Sequence, residues 1–268
     1  MCGRYALTLP PEALREFFEV LGEVVFPPRY NIAPTQPIHV VRIAGDGERR
    51  LELMRWGFVP AWVGDPAKFP LLINARIESA AEKPAFRNAV RRRRCLVPAT
   101  GFYEWQPLGH GPKQPYLLRP AGVPCVAFAG VYETWIGPDG EEVDTAAILT
   151  RPANRALADI HDRMPVVVPQ DRFAAWLDPR QEDGVAALEA LPPAPDDLFE
   201  RVPISTRVNA AANDGPAIQE PATVAVPDRA DAAGIEPARP SPPNGDRRGA
   251  ADDPATARQA DGGQLDLF

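Results

Sequence analysis

Proline sets the first limit on this chain. It occurs 33 times in 268 residues, about 12% against a usual value near 5%. A proline inside a helix removes a hydrogen bond and clashes with the preceding turn, so a long coiled coil or a plain helix bundle is ruled out. The prolines are unevenly used. From Pro221 the text PATVAVPDRADAAGIEPARPSPPNGDRRGAADDPATARQADGG mixes Pro, Ala, Gly, Asp and Arg without an apolar period, and no aromatic residue occurs from Glu200 to Leu267. Such a segment buries too little apolar area to offset its ordering entropy. Residues 222–263 therefore read as a disordered linker. Residues 1–221 hold every tryptophan and tyrosine and suffice for one compact domain.

Within that domain Leu14, Phe17, Phe18 and Leu21 fall at i, i+3, i+4 and i+7, which predicts a helix over Pro11–Leu21 with proline at its start. Short β-like runs follow at Ile38–Ile43, Leu51–Arg55, Val123–Tyr132 and Val143–Thr150. Turn signals such as Gly45-Asp46-Gly47 and Gly137-Pro138-Asp139-Gly140 divide them. Gln170–Leu177 and Gly184–Leu191 look helical. Strands in runs, not in strict alternation with helices, favour an α+β domain with a mainly antiparallel, barrel-like β core and peripheral helices.

Several function classes drop out. No apolar run approaches the ~20 residues of a membrane span, and the start MCGRYALTLPPEALREF lacks the basic and apolar regions of a secretory signal. A cytoplasmic address is the default. Cys2, Cys95 and Cys125 form no C-x-x-C pair, and His39, His110 and His161 are far apart. A zinc site, a disulfide framework and a bound metal are therefore not expected. No phosphate loop, nucleophile elbow or dinucleotide fingerprint occurs, so no cofactor is expected. The net charge of −7 argues against nucleic acid only on average, because distribution matters more than the sum.

Cys2 is the most informative residue. Its side chain is small enough for an aminopeptidase to remove Met1, which would leave a free α-amine and a thiol on adjacent carbons. An α-amine titrates near 7.7–8.0, so part of it is neutral and nucleophilic at pH 7. A 1,2-aminothiol meets an aldehyde in two steps: the amine forms an imine, then the thiol closes a thiazolidine.

Other dense segments are Arg29-Tyr30-Asn31-Ile32-Ala33-Pro34-Thr35, read as a polar–aromatic loop, and Arg55-Trp56-Gly57-Phe58-Val59-Pro60-Ala61-Trp62. With them stand Asn74-Ala75-Arg76-Ile77-Glu78-Ser79, Gly101-Phe102-Tyr103-Glu104-Trp105 and His161-Asp162-Arg163-Met164-Pro165. Singly, each reads as core aromatics with satisfied polar neighbours. Together with M-C-G-R-Y at the start and S-T-R-V-N at Ser205–Asn209, they resemble the SRAP family, the SOS response-associated peptidases or abasic-site processing proteins, from Met1 to about Pro221.

The resemblance implies a sensor that traps abasic sites in single-stranded DNA. Cys2 falls on the family nucleophile, and the C1′ aldehyde of the opened sugar suits its chemistry. Asn74 falls on the asparagine expected to hold the sugar or orient Cys2. Glu104 falls on the general acid/base, with a pKa raised by the rings of Phe102, Tyr103 and Trp105. His161 falls on the proton-transfer histidine. Arg4 and Arg76 match phosphate-holding positions, Asn31 and Pro34 the loop beside the site, and Trp62 a base-stacking ring. Some relatives have two consecutive tryptophans there, whereas Val63 follows Trp62 here. Arg87 and the run Arg91–Arg94 would extend a basic track, although the run reads equally as a solvated helix face. The family name further implies SOS-linked expression, autoproteolytic removal of residues before Cys2 and weak lyase activity. Two alternatives stand beside this reading: a thiol peptidase using Cys2, His161 and Glu104 on other proteins, and a non-covalent single-stranded DNA-binding module.

The end of the chain carries its own signal. Gln264-Leu265-Asp266-Leu267-Phe268 follows a Gly-Gly hinge, and alternating apolar anchors on a solvated tether suit docking into a partner groove. This QLDLF string resembles the peptide that binds the DNA polymerase sliding clamp, with Gln264, Leu265, Leu267 and Phe268 as anchors. The expected partners are thus abasic single-stranded DNA and the clamp, with the protein a monomer.

Overall fold

The computed structural model describes residues 2–109 and 111–223. The rest of the expected linker and the Gln264–Phe268 peptide lie outside the described residues. The strands are β1 (Tyr5–Leu7), β2 (Arg29–Ile32), β3 (Pro37–Ile43), β4 (Arg49–Trp56), β5 (Asn74–Arg76), β6 (Arg94–Ala99), β7 (Gly101–Gln106), β8 (Gln114–Pro120), β9 (Val126–Ile136), β10 (Glu142–Pro152), β11 (Arg163–Pro165), β12 (Val167–Val168) and β13 (Phe199–Pro203). The helices are α1 (Pro11–Phe18), α2 (Arg87–Arg92), α3 (Phe173–Leu177) and α4 (Gly184–Glu189).

Strand β10 pairs with β4 on one side and β9 on the other, so the path β10-β4-β3-β6-β9 closes into a five-stranded barrel. A second sheet runs β13-β8-β7-β1-β2 and is antiparallel throughout. The α+β class with a mainly antiparallel barrel core is therefore what the chain adopts. Among the described residues, only the pairings of β10 with β4 and with β5 are parallel.

Aromatic residues of the two sheets meet in one core. Tyr5 of β1 stands edge-on to Trp56 at 5.4 Å and to Phe128 at 6.4 Å, and Phe102 of β7 meets Phe128 at 5.9 Å. Strand alternation sends Tyr103 to the other face of the second sheet, where it packs with Ala6, Leu117, Ile204, Val208 and Ile218. The barrel wall is tight where β6 passes β9. A Cβ at Gly130 would lie 2.7 Å from the Cys95 sulfur and 3.2 Å from Val97.

Helix α1 buries Leu14 and Phe18, and Phe18 stacks on Phe173 of α3 at 5.3 Å. It ends earlier than its apolar period suggests, because Glu19 takes a left-handed cap and the Leu21 N–H turns to the Arg49 carbonyl. The four arginines of Arg91–Arg94 differ in their surroundings. Arg94 is buried and donates to the carbonyls of Val90, Arg91, Trp176 and Asp178, while Arg91 and Arg92 pair with Glu182 and Arg93 with Glu133. The fold closes where Ile204 bridges Pro221 and the Ala222 N–H reaches the Pro203 carbonyl at 2.8 Å. Among the described residues, no helix is long and apolar enough to cross a membrane.

Candidate functional site

Cys2 leads into β1, whose partner is β7 with Tyr5 opposite Phe102 and the Tyr103 N–H on the Arg4 carbonyl at 2.9 Å. Continuing that antiparallel register places Gly3 opposite Glu104. Cys2 is fully buried and its sulfur accepts the Arg4 backbone N–H. Burial, joined by the negative field of Glu104, pushes the thiol well above its ordinary range, so it is held as neutral S–H.

Glu104 is 3% exposed. Burial raises its pKa from 4.5 to about 7, against the pull of the chain's terminal amine, with Asp162 adding to the rise and Lys113 opposing it. The expected shift is present, but its walls differ from those the sequence suggested. Tyr103 and Trp105 project to the opposite face of β7, and Glu104 shares the Phe102 side. A carboxyl half-protonated near neutrality can both give and take a proton.

Strand β10 carries the elements that hold two further expected residues, Asn74 and His161. Its C-terminal half carries β5 on one edge, with Asn74 opposite Ile148, and β11 on the other, with Pro152 opposite Arg163. Asn74 donates to the Ile148 carbonyl at 3.3 Å, and its buried Oδ1 has no partner among the described residues. Trp56 ties this strand to β1: its ring touches Tyr5, and its indole N–H holds the Ile73 carbonyl at 2.9 Å.

His161 precedes β11. Burial and the terminal amine lower its pKa, while Asp162 opposes them, so the ring is neutral at pH 7. Its Nδ1 accepts the Arg163 backbone N–H at 2.9 Å and lies 2.8 Å from Asp162 Oδ1. The neutral ring thus keeps its proton on Nε2, and a second proton at Nδ1 would turn to Asp162. Glu104 and His161 share the fields of Asp162, Lys113 and the terminal amine, and Cys2 shares that of Glu104. These three expected residues are therefore together.

Arg4 leaves the opposite face of β1. It donates to Asn31 Oδ1 at 2.7 Å and the Val208 carbonyl at 2.8 Å, and lies 6.0 Å from the Trp105 ring centre. Asn31 is fully buried, its amide donating to the carbonyls of Val208, Ala210 and Asn213. It belongs to β2, not to the loop the sequence suggested, and touches the site through Arg4. Ser205–Asn209, matched above only as a motif, supplies the Val208 carbonyl that both residues share. Pro34 is partly exposed, Arg76 and Arg87 are exposed, and Trp62 is 63% exposed against Phe69 at 5.5 Å.

Two groups escaped the sequence reading. Asp214 binds the backbone N–H groups of Tyr30 and Asn31 and the Arg29 guanidinium. Nothing in its polar surroundings marks it. Arg163 grips Glu78 with two hydrogen bonds of 2.7 and 2.9 Å and reaches the Thr150 carbonyl. Both partners lay within segments already noted as charged, and only the fold pairs them.

A family model described as SOS response associated peptidase (SRAP) matches residues 1–211. The chain is 37% identical over 224 residues to the abasic site processing protein YoqW of Bacillus subtilis, covering 82% of this chain and 99% of that one. It is 33% identical over 270 residues to the abasic site processing protein HMCES of Gallus gallus, covering 85% and 80%. A crystal structure of a Bacteroides thetaiotaomicron protein superposes with a TM-score of 0.73 at 24% identity, covering 83% of this chain and all of that one. A phage-related protein of Bordetella bronchiseptica superposes at 0.63 with 31% identity, covering 76% of this chain and 94% of that one.

Proposed function

The chain belongs to the SOS response associated peptidase (SRAP) family, and from that premise we propose that it senses abasic sites in single-stranded DNA by covalent capture on Cys2. The observation that carries this reading is the grouping of buried Cys2 and Glu104 with half-buried His161, with a neutral thiol beside a carboxyl whose pKa is about 7. The thiol is too basic to attack first, so the α-amine exposed by loss of Met1 does.

The amine adds to C1′ of the ring-opened sugar and forms a carbinolamine. Protonated Glu104 delivers a proton to the departing hydroxyl, and water and the imine result. The thiol then adds across the imine: sulfur bonds to C1′ and the thiol proton passes to nitrogen. The product is a thiazolidine with the mass of protein plus DNA less one water. His161 shuttles the proton that opens the sugar ring, and Asn74 Oδ1 accepts a hydroxyl of the opened sugar. Arg4, positioned by Asn31, holds phosphate with Arg76 and Arg87, while Pro34 and Trp62 meet the flanking bases. Turnover is largely single.

An abasic single-stranded oligonucleotide mixed with the protein tests this on a denaturing gel with mass spectrometry. A heat-stable, borohydride-independent adduct on Cys2 is expected, absent with Cys2→Ala and with intact DNA. No adduct would leave a non-covalent binding module, and an adduct seen only after borohydride would leave an imine-forming lyase. The Gln264–Phe268 peptide would anchor the sensor to the sliding clamp. Its deletion should abolish clamp retention and leave crosslinking unchanged.

A further inference from the structure

Trp56 turns inward to Tyr5 and Ile73, so its neighbours Arg55 and Gly57 face the other side of the barrel wall. There the Arg55 guanidinium donates to the Gly57 carbonyl at 3.1 Å. A Cβ at Gly57 would lie 2.6 Å from the Leu71 methyl and 3.1 Å from Arg55 Nη1, so both side chains lie over a bare backbone. Gly57 also sits at φ +145, where a side chain is disfavoured. Leu71 is 48% exposed, and Phe69, two residues before it, backs the exposed Trp62.

The charge on this strip is unusual for its hairpin. On β3 and β4, Arg42 pairs with Glu52, Arg49 with Glu19 and Arg50 with Asp46. Among the described residues Arg55 pairs with no carboxylate. Beside it Thr35 holds φ +72, a left-handed conformation that costs a β-branched residue energy. The Thr35 N–H on the Trp56 carbonyl at 2.7 Å keeps it there, and Gln36 Oε1, accepting from the Ala33 N–H and from Arg29, braces the turn. Strain maintained by this many contacts on an exposed turn marks a surface shaped for a ligand.

We propose that Thr35, Arg55 and Leu71 extend the Trp62–Phe69 surface into a track for the unpaired strand beside the lesion. This rests on the abasic-site reading above. An unneutralised cation between apolar steps fits a chain of alternating phosphates and base faces. Arg55 holds a phosphate, Leu71 and Trp62 meet bases, and Thr35 shapes the lip next to Pro34. The contacts read no base edge, so the track is indifferent to sequence.

Fluorescence anisotropy with an undamaged single-stranded oligonucleotide across a salt series tests it. Arg55→Gln should weaken binding about 5- to 10-fold and lower the log–log salt slope by about 0.7, the share of one phosphate on a single strand. Leu71→Ser should weaken binding with an unchanged slope. Arg50→Gln, whose guanidinium is already paired, should change neither. Melting curves establish that each variant is folded, and Arg55→Gln carries the test if Leu71→Ser is not. Wild-type affinity and slope in Arg55→Gln would overturn the track. A wild-type protein that forms no adduct while Arg55→Gln still loses affinity would instead overturn the covalent reading and keep the track.

Discussion

Replacing Glu104 by glutamine should stabilise the protein while disabling it, and the gain should depend on pH. The folded carboxyl titrates at about 7 against an ordinary 4.5 because it is buried beside β1. Folding therefore takes up a proton between these values. Below the ordinary value the carboxyl is neutral in both states and carries no penalty. As pH rises through the folded value, the buried charge costs the full difference. At about 1.4 kcal/mol per tenfold change in proton affinity, that is about 2 kcal/mol at pH 6 and about 3 kcal/mol at pH 8. Glutamine keeps the shape and never ionises. For a domain of this size each kcal/mol moves Tm by roughly 2–4 °C, so Glu104→Gln should melt roughly 6–12 °C above wild type at pH 8. The two should melt together at pH 4. Thermal unfolding by circular dichroism, repeated across the pH range, measures this directly. A constant difference at both ends, or none at pH 8, would refute the assignment of the shift to burial of this carboxyl.

Arg94→Met should cost at least about 3 kcal/mol in urea unfolding, since four carbonyls, two of them in buried hydrogen bonds, lose their donor, whereas Arg91→Gln should stay within about 0.5 kcal/mol. Gly130→Ala should destabilise by about 1–3 kcal/mol, because the added methyl meets the Cys95 sulfur inside a closed barrel; an unchanged denaturation midpoint would show that the wall yields. Trp62→Ala should leave Tm alone but weaken single-strand binding by about 1–3 kcal/mol, read by anisotropy.

Much of this architecture is legible in the sequence wherever a local pattern decides the outcome. Three of the strand runs appear where their apolar residues predict them, lengthened by a residue or more as β3, β4 and β10, whereas the run expected over Val123–Tyr132 starts only at Val126 and continues to Ile136. Helix α1 follows its period through Phe18 and then departs, because Leu21 is claimed by the Arg49 carbonyl from another element. Arg29–Ile32 reads as a loop in isolation and becomes β2 because β1 and the distant Asp214 satisfy its backbone. The site divides the same way. Cys2, Asn74, Glu104 and His161 are visible as residue types inside dense motifs. The pairing of Glu78 with Arg163 and the cage around Arg4 need the fold, since their partners lie 85 and 204 residues away.

The pairing of β1 with β7 also has a consequence in time. Glu104 and the strand that carries it are made about a hundred residues after Cys2. At roughly 5–20 residues per second, Cys2 waits roughly 5–20 s for the Glu104 carboxyl. During that interval Cys2 has neither β7 nor its carboxylate beside it. On the proposed chemistry, assembly of the second sheet would act as a clock: a finished domain would capture an aldehyde faster than a chain interrupted before β7.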